Sequence, residues 1–478
     1  MRWCLLLLPS FALAQPTPGD READIFGSPP EVAAPASAPP PVGREADIFG
    51  APESKPLEIK EDSTPTAAEG PVTIEGDPLT IGGRLWLRSD FSVFEDTDAA
   101  DQPVRMPNLL DVFLDARPVE GVRAYASGRL AYDPTVREAA EDDVAALLSG
   151  SENGATLDEL WLRFDLENTV FFTLGAQHIR WGTGRIWNPT DVLNQARRDP
   201  LAPTDLRTGA PLMRAEVPIE VLGGALQVVG RFDGADHLGA IGGATRLQAV
   251  FGSAEVSVMA AARDEAPTVL GLDFSAGLGP LDVYAEAAVS HGSAHRWTGT
   301  LSFTPLAIPT REGRDGAWIP QVVAGVEWPI AYGDDDVLYL GAEYFFNDSG
   351  YSDADLYPWL LLQEDFSPFY LGRHYAGAYA LLAAPGTWND TNFVLTGLMN
   401  LSDHTAAARL NISHAVRRRL FVEPYVAGFL GDRGGEFRFA VDLTVPEALL
   451  PTGTPAGAGR IVVPPPVVQA GLWLRVPF

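Results

Sequence analysis

From about residue 79 onward, apolar and polar positions alternate. Leu79, Ile81, Gly83, Leu85 and Leu87 share one parity, with Arg84 and Arg88 on the other. Val122, Ala124, Ala126, Gly128 and Leu130 alternate with Arg123, Tyr125, Ser127 and Arg129. Leu160, Leu162, Phe164 and Leu166 alternate with Glu159, Trp161, Arg163 and Asp165. The pattern returns at Leu281, Val283, Ala285, Ala287 and Val289, and again at Ala406, Ala408, Leu410 and Ile412. Period two with one apolar face predicts half-buried strands. Outside the extreme N-terminus no run of apolar residues is long enough for a spanning helix, whereas strands of about 9–11 residues match a tilted membrane strand.

Two architectures produce such a pattern. A soluble β-sandwich or β-helix buries the apolar face in a core, while a transmembrane barrel turns it to lipid and keeps a polar lumen. Charged residues on the opposite parity in strand after strand favour the barrel. The composition agrees: 47 Gly, 23 Phe, 12 Tyr and 11 Trp against 5 Met suit strands better than helical bundles.

The N-terminus reads as an export signal. "MRWCLLLLPSFALAQ" places Arg2 before an apolar stretch that ends in Ala12-Leu13-Ala14, a small-x-small cleavage pattern. Cleavage after Ala14 would remove Cys4, the one cysteine, so neither a disulfide nor a thiolate metal site is expected. Losing Arg2 would also make the formal charge of −29 one unit more negative. Such acidity, without a basic stripe, excludes nucleic acid as a partner.

Residues 15–77 are rich in Pro, Ala, Ser and Glu, a composition that predicts a disordered tail. Within it "READIFG" occurs twice, at Arg21–Gly27 and Arg44–Gly50. Two copies cannot stack a solenoid core. They are either duplicated linker or a tandem docking peptide anchored by Ile25-Phe26 and Ile48-Phe49.

The chain ends "VVQAGLWLRVPF". This ending resembles that of Gram-negative outer-membrane β-barrels, on Leu472, Leu474, Val476 and Phe478. The resemblance implies that these residues form the signal read by the barrel-assembly machinery. It also implies outer-membrane lipid around the barrel and a periplasmic tail, whose READIFG copies would meet a periplasmic protein. Pro477 departs from that pattern, a departure tolerable only because a strand end can spare one N–H. The fold class expected for residues 78–478 is therefore all-β: a transmembrane antiparallel β-barrel of about 16–18 strands, preceded by the disordered N-terminal tail.

Connections should alternate between short turns and long loops. "HAVRRRLFVEPY" leaves room for a tight turn at Arg417–Arg419, whereas "YGDDDV", "NDSGYSDADLYPWLLLQEDFSPFYLG" and "VPEALLPTGTPAGAGRIVVPPP" read as external loops. Residues 134–154 carry a weak helical pattern, with Ala140, Val144, Leu147 and Leu148 on one face.

The densest chemistry lies in "LGAQHIRWGTGRIWNPTDVLNQARRDPLAPTDLRTG". Asn188-Pro189-Thr190-Asp191 has the makings of a helix start: Asn as cap, Pro at the first position, Asp near the positive end. The stretch resembles porin-like outer-membrane proteins on Gly175, Gln177, Trp181, Gly182, Gly184, Asn188, Pro189 and Asp191. The resemblance implies a constriction loop folded into the lumen, with Trp181, Asn188 and Asp191 as its candidate residues. An external loop packed on its own rim is the other reading.

Inward parity also divides the charges. Arg84, Arg88, Arg123, Arg129, Arg163, Arg409, Arg438 and Arg475 lie toward the two ends of the chain, which closure would make neighbours. Glu255, Asp282, Glu286 and Glu343 lie in its middle. A basic wall facing an acidic wall is expected, an arrangement that orients polar solutes.

Catalytic signals are weak. The seven histidines sit in no nucleophile motif and no Gly-x-Ser-x-Gly occurs. His291 and His295 make only a weak metal pair, and the Asp-rich loops lack the spacing of a calcium loop. Neither catalytic residues, a metal site nor a cofactor is assigned. The expected function is an outer-membrane, porin-like channel for passive diffusion of small polar solutes. The alternative is a plugged barrel serving as a surface adhesin or as an anchor for a periplasmic partner.

Overall fold

In a computed structural model the chain is described over residues 78–136, 153–194, 196–264, 266–303, 306–332, 336–444 and 460–478. The export signal, the tail with Ile25, Phe26, Ile48 and Phe49, and the helix expected within 134–154 lie outside the described residues, apart from the ends of the last.

The alternating segments form eighteen barrel strands. In chain order they are β1 (Leu79–Phe94), β2 (Asn108–Val119), β3 (Val122–Tyr132), β4 (Gly154–Leu166), β5 (Val170–Gln177) and β6 (Ala210–Ile219). Then come β7 (Gly224–Arg231), β8 (Gly242–Phe251), β9 (Ala254–Ala262), β10 (Thr268–Leu278), β11 (Leu281–His291) and β12 (Trp318–Tyr332). The last six are β13 (Asp336–Asn347), β14 (His374–Ala383), β15 (Thr391–Asn400), β16 (Thr405–Arg417), β17 (Leu420–Gly431) and β18 (Pro466–Pro477). Each pairs antiparallel with its neighbour in sequence, and β18 pairs with β1, so the sheet closes and has no free edge.

The seam shows why the last residues matter. Arg84 lies opposite Pro477 and Leu87 opposite Leu474. Beyond Pro477, Gly83 N–H donates to the Phe478 carbonyl at 3.0 Å and Phe478 N–H donates back to Gly83 at 2.9 Å. The ladder thus resumes one residue past the proline that cannot donate. A Cβ on Gly83 would lie 2.5 Å from the Phe478 ring, so glycine makes the room that ring needs.

Outward positions such as Leu87, Leu162, Leu272, Leu395 and Leu472 are apolar and exposed, as a lipid-facing surface requires. One rim carries connections of two to seven residues, the other the long loops 178–209, 292–317, 348–373 and 432–465. The tight turn at Arg418-Arg419 belongs to the short-turn rim. "YGDDDV" corrects the expectation: Tyr332 ends β12 and Asp336 begins β13, so this connection joins the short-turn rim. Its three acids signalled solvent, which both rims offer.

One bulge changes which side chains reach the lumen. Ser127 pairs with Glu159 but Gly128 with Leu157, leaving Asp158 the extra residue of β4. Strict alternation would point Asp158 outward beside lipid. The bulge buries both Asp158 and Glu159 on the inner side and leaves Leu157 exposed.

Candidate functional site

After Gln177 the chain leaves the barrel wall and does not return until Ala210. Segment 178–209 touches the wall on three sides. Ile179, Trp181 and Leu193 pack with Leu212, Val229 and Met259 of β6, β7 and β9. Ile186 and Trp187 pack with Val323, Phe345, Tyr375 and Tyr379 of β12–β14. Ala202 and Leu206 pack with Trp86 and Leu109 of β1 and β2. The segment therefore crosses the lumen.

Two inward carboxylates hold its outbound limb. Glu286 on β11 accepts from Thr183 N–H at 3.0 Å, Gly184 N–H at 3.1 Å, Thr190 N–H at 2.6 Å and Thr190 Oγ1 at 2.8 Å. With its amide turned to match its neighbours, Asn188 adds donations to both Glu286 oxygens and accepts from Arg180 Nε at 3.0 Å. Glu343 on β13 accepts from Arg185 N–H at 2.8 Å, Ile186 N–H at 3.2 Å, Trp187 N–H at 2.7 Å and Tyr284 OH at 2.9 Å. Trp187 Nε1 reaches the Phe369 carbonyl at 3.0 Å. A non-helical segment inside a barrel has no ladder for its N–H groups, and the two carboxylates supply the acceptors.

The Trp181-Gly182-Thr183-Gly184 stretch now has a physical reading. Gly182 has φ +95°, and a Cβ there would sit 2.4 Å from Glu286 Oε2, so the carboxylate occupies the side-chain position. Trp181 is buried and donates to Gln227 at 2.9 Å. Asp191 ties the outbound limb to the return limb: Arg207 Nη1 donates to it at 2.9 Å while the same guanidinium grips Asp205. The helix expected from Asn188 does not form. Thr190 N–H, which a first helical turn would leave free, goes to Glu286, and only turn bonds follow.

On the opposite side the return limb meets the cationic seam. Arg88 stacks on Trp473 at 3.9 Å and Arg409 on Tyr425 at 3.7 Å. Arg129 binds Asp111 at 2.7 Å and the Leu206 carbonyl at 3.0 Å. His178, held 3.1 Å from Asp158, has its pKa raised: burial opposes its charge, but the Asp158 bond and the nearby carboxylates outweigh that. Arg180, Arg197, Arg198 and Arg207 line a recess with Asn188, Asp191 and Tyr370. Burial, then the like charge of Arg180, pushes Arg198 down to about 9.

The remaining expected wall residues are spread differently. Arg84 sits over Trp86, Arg163 over Phe171, and Arg475 binds Glu423 at 2.9 Å. Arg123 is chelated by Asp115 at 2.8 and 2.9 Å. Arg438 lies on no barrel strand: it ends the 3-10 turn Glu436–Arg438 in loop 432–465 and pairs with Glu95. Its parity therefore carries no facing. Glu255 accepts from Gln248 at 2.7 Å, and Asp282 stands near the short-turn rim of β11. His291 and His295 diverge, the first stacked on Trp318 and the second against Asp365, so they form no pair. Among the described residues no group of three or more His, Cys, Asp or Glu could hold a metal ion.

Sequence reasoning passed over several members of the site. Trp187, Arg197, Arg198 and Arg207 lie inside the quoted loop, where their density was the available signal. Glu327, bound by Tyr379 OH at 2.7 Å, and Glu436 carried no signal beyond their charge.

A closed sheet of eighteen antiparallel strands, apolar outside and crossed by its own loop inside, defines a transmembrane β-barrel of the outer-membrane type. Solved structures resemble it. The outer membrane protein opdK from Pseudomonas aeruginosa shares 9% identity at TM-score 0.47, over 83% of this chain and 98% of that one. Pseudomonas putida OprB shares 11% at TM-score 0.45, over 84% and 94%. A BenF-like porin from Pseudomonas fluorescens Pf-5 shares 8% at TM-score 0.47, over 83% and 98%. No protein-family model matches the chain, and no curated protein matches it.

Proposed function

We propose that the barrel is a narrow diffusion channel for small polar solutes, with segment 178–209 as its constriction and a preference for solutes bearing negative charge. The observation that carries this reading is the unequal use of the two charged sides. Glu286 and Glu343 are surrounded by the donors of the loop they hold. Arg88 and Arg409, by contrast, lie over the Trp473 and Tyr425 faces, and the neighbouring Asp90 carboxylate accepts from Tyr425 OH and Trp473 Nε1. A fixed, desolvated guanidinium recruits an anionic group.

The rival reading, a barrel plugged by its own loops, is favoured by the apolar packing of segment 178–209 against three sides of the wall. Planar-bilayer recording of the purified protein separates the two. Stepwise conductance with an anion-selective reversal potential is the expected result. A correctly assembled barrel that never conducts would leave only the plugged reading.

A further inference from the structure

We propose that the outer face of β11–β14, at the long-loop rim, binds the phosphorylated headgroup of an outer-leaflet glycolipid, a reading that rests on the long-loop rim facing outward. The residues concerned lie on the lipid-facing parity or directly above it. His291 pairs in register with Trp318 and stacks on it at 4.3 Å, with Trp318 exposed to the surroundings of the barrel. Two strands further round, Tyr344 OH and His374 Nδ1 are 2.7 Å apart, and His374 packs against Phe346. Aromatic rings at this height form the interfacial girdle of a membrane barrel.

Between the two aromatic pairs sits a cationic group. Asp348 follows β13 on the outward parity, its N–H bonded to the Pro320 carbonyl at 3.1 Å. Its carboxylate is shared by two guanidiniums: Arg314 Nη2 at 2.6 Å and Arg373 Nη2 at 3.0 Å. Arg373 also lies over the Phe346 ring at 5.9 Å, with its side chain partly exposed. One carboxylate between two arginines leaves an unbalanced positive charge, on the outside of a chain whose formal net charge is −29. The guanidinium forks keep further N–H groups at the level where a lipid headgroup begins, and planar forks match phosphate oxygens. Tyr344 and Phe346 lie below the forked cations, and Trp318 stands beside them, two residues nearer the long-loop rim than Pro320. Rings flanking forked cations on the lipid side complement a headgroup phosphate carried on acyl chains, which commits the site to a lipid phosphate and not to a free one.

The test uses the full chain in detergent, with native mass spectrometry counting bound bisphosphorylated lipid A. The protein should retain it against inorganic phosphate, and lipid A stripped of its phosphates should bind more weakly. R314Q with R373Q should weaken binding on the order of tenfold, while heat-modifiable migration stays as in the parent. Asp348→Asn, which frees both guanidiniums, should tighten binding and keeps the test open should the double variant fail to assemble. Equal affinity of the assembled double variant, equal binding of the phosphate-free lipid, ready displacement by inorganic phosphate, or unchanged affinity in D348N would each overturn the proposal. None of these readouts depends on conduction, so a plugged barrel would leave this proposal standing.

Discussion

Glu343, on the thirteenth strand, takes the backbone N–H of Trp187 at 2.7 Å across the lumen. The same carboxylate holds two more consecutive N–H groups, those of Arg185 and Ile186. Replacing Glu343 with Ala would strand three buried donors, each costing about 1–3 kcal/mol if unmet. The loop should then detach from that wall, and single-channel conductance should rise with noisier open levels. Glu343→Gln keeps one acceptor oxygen and should fall between. Identical conductance in all three proteins would mean that this contact does not set the bore.

Neutralising Arg84, Arg88 and Arg129 together to Gln should move ion selectivity toward cations. Arg88 is stacked on Trp473 and Arg129 touches the crossing loop, so two of the three charges flank the path. Reversal potentials under a salt gradient report the shift, which high salt should diminish. A variant that conducts with the parent's reversal potential would count against the basic seam.

Gly83→Val should impair closure more than a lipid-facing Leu85→Val change. The new Cβ would meet both the Phe478 ring and the Asp111 carbonyl at 2.5 Å, and backbone cannot move aside cheaply. The readout is the fraction of protein showing heat-modifiable migration on a gel. Phe478→Ala in the Gly83→Val background should recover part of that fraction, since it removes one of the two clashes.

The turn that carries Glu436 should respond to pH. Burial raises its pKa to about 8, with the nearby Asp403 carboxylate acting the same way, against the donors Tyr375 OH, Asn400 and Phe369 N–H. A carboxyl raised above its unfolded value binds more protons when folded, so its contribution is complete at low pH and is lost as pH rises from the ordinary Glu range through about 8. Protease cleavage within loop 432–465 should therefore quicken between pH 6 and pH 9, and Glu436→Gln should flatten that dependence. The same slope in E436Q would assign the response elsewhere.

For the tail, a peptide of residues 15–77 should hold a periplasmic protein through its two READIFG copies, with Phe26→Ala or Phe49→Ala each weakening retention and the pair abolishing it. Undiminished retention by the double variant would reduce the repeat to linker.

Alternation determined the strands and which face of each is apolar, because side chains of period two fall on two faces only. That the apolar face meets lipid and the first strand meets the last needed more: the opposite-parity charges, the export signal and the terminal Leu472, Leu474, Val476 and Phe478. The composition of 174–209 likewise marked the loop that matters. Tertiary structure decided the rest. Asp158 faces inward because a bulge inserts one residue against β3, a register event that no parity count contains. Past Asn188 the backbone makes only turn bonds, and the Thr190 N–H goes to Glu286, about a hundred positions away in sequence. Arg438 left the expected wall because a strand ended before it. The lumen acids became anchors for the same reason. Which donors stay unpaired depends on how the barrel closes, and closure brings together residues that the sequence holds far apart.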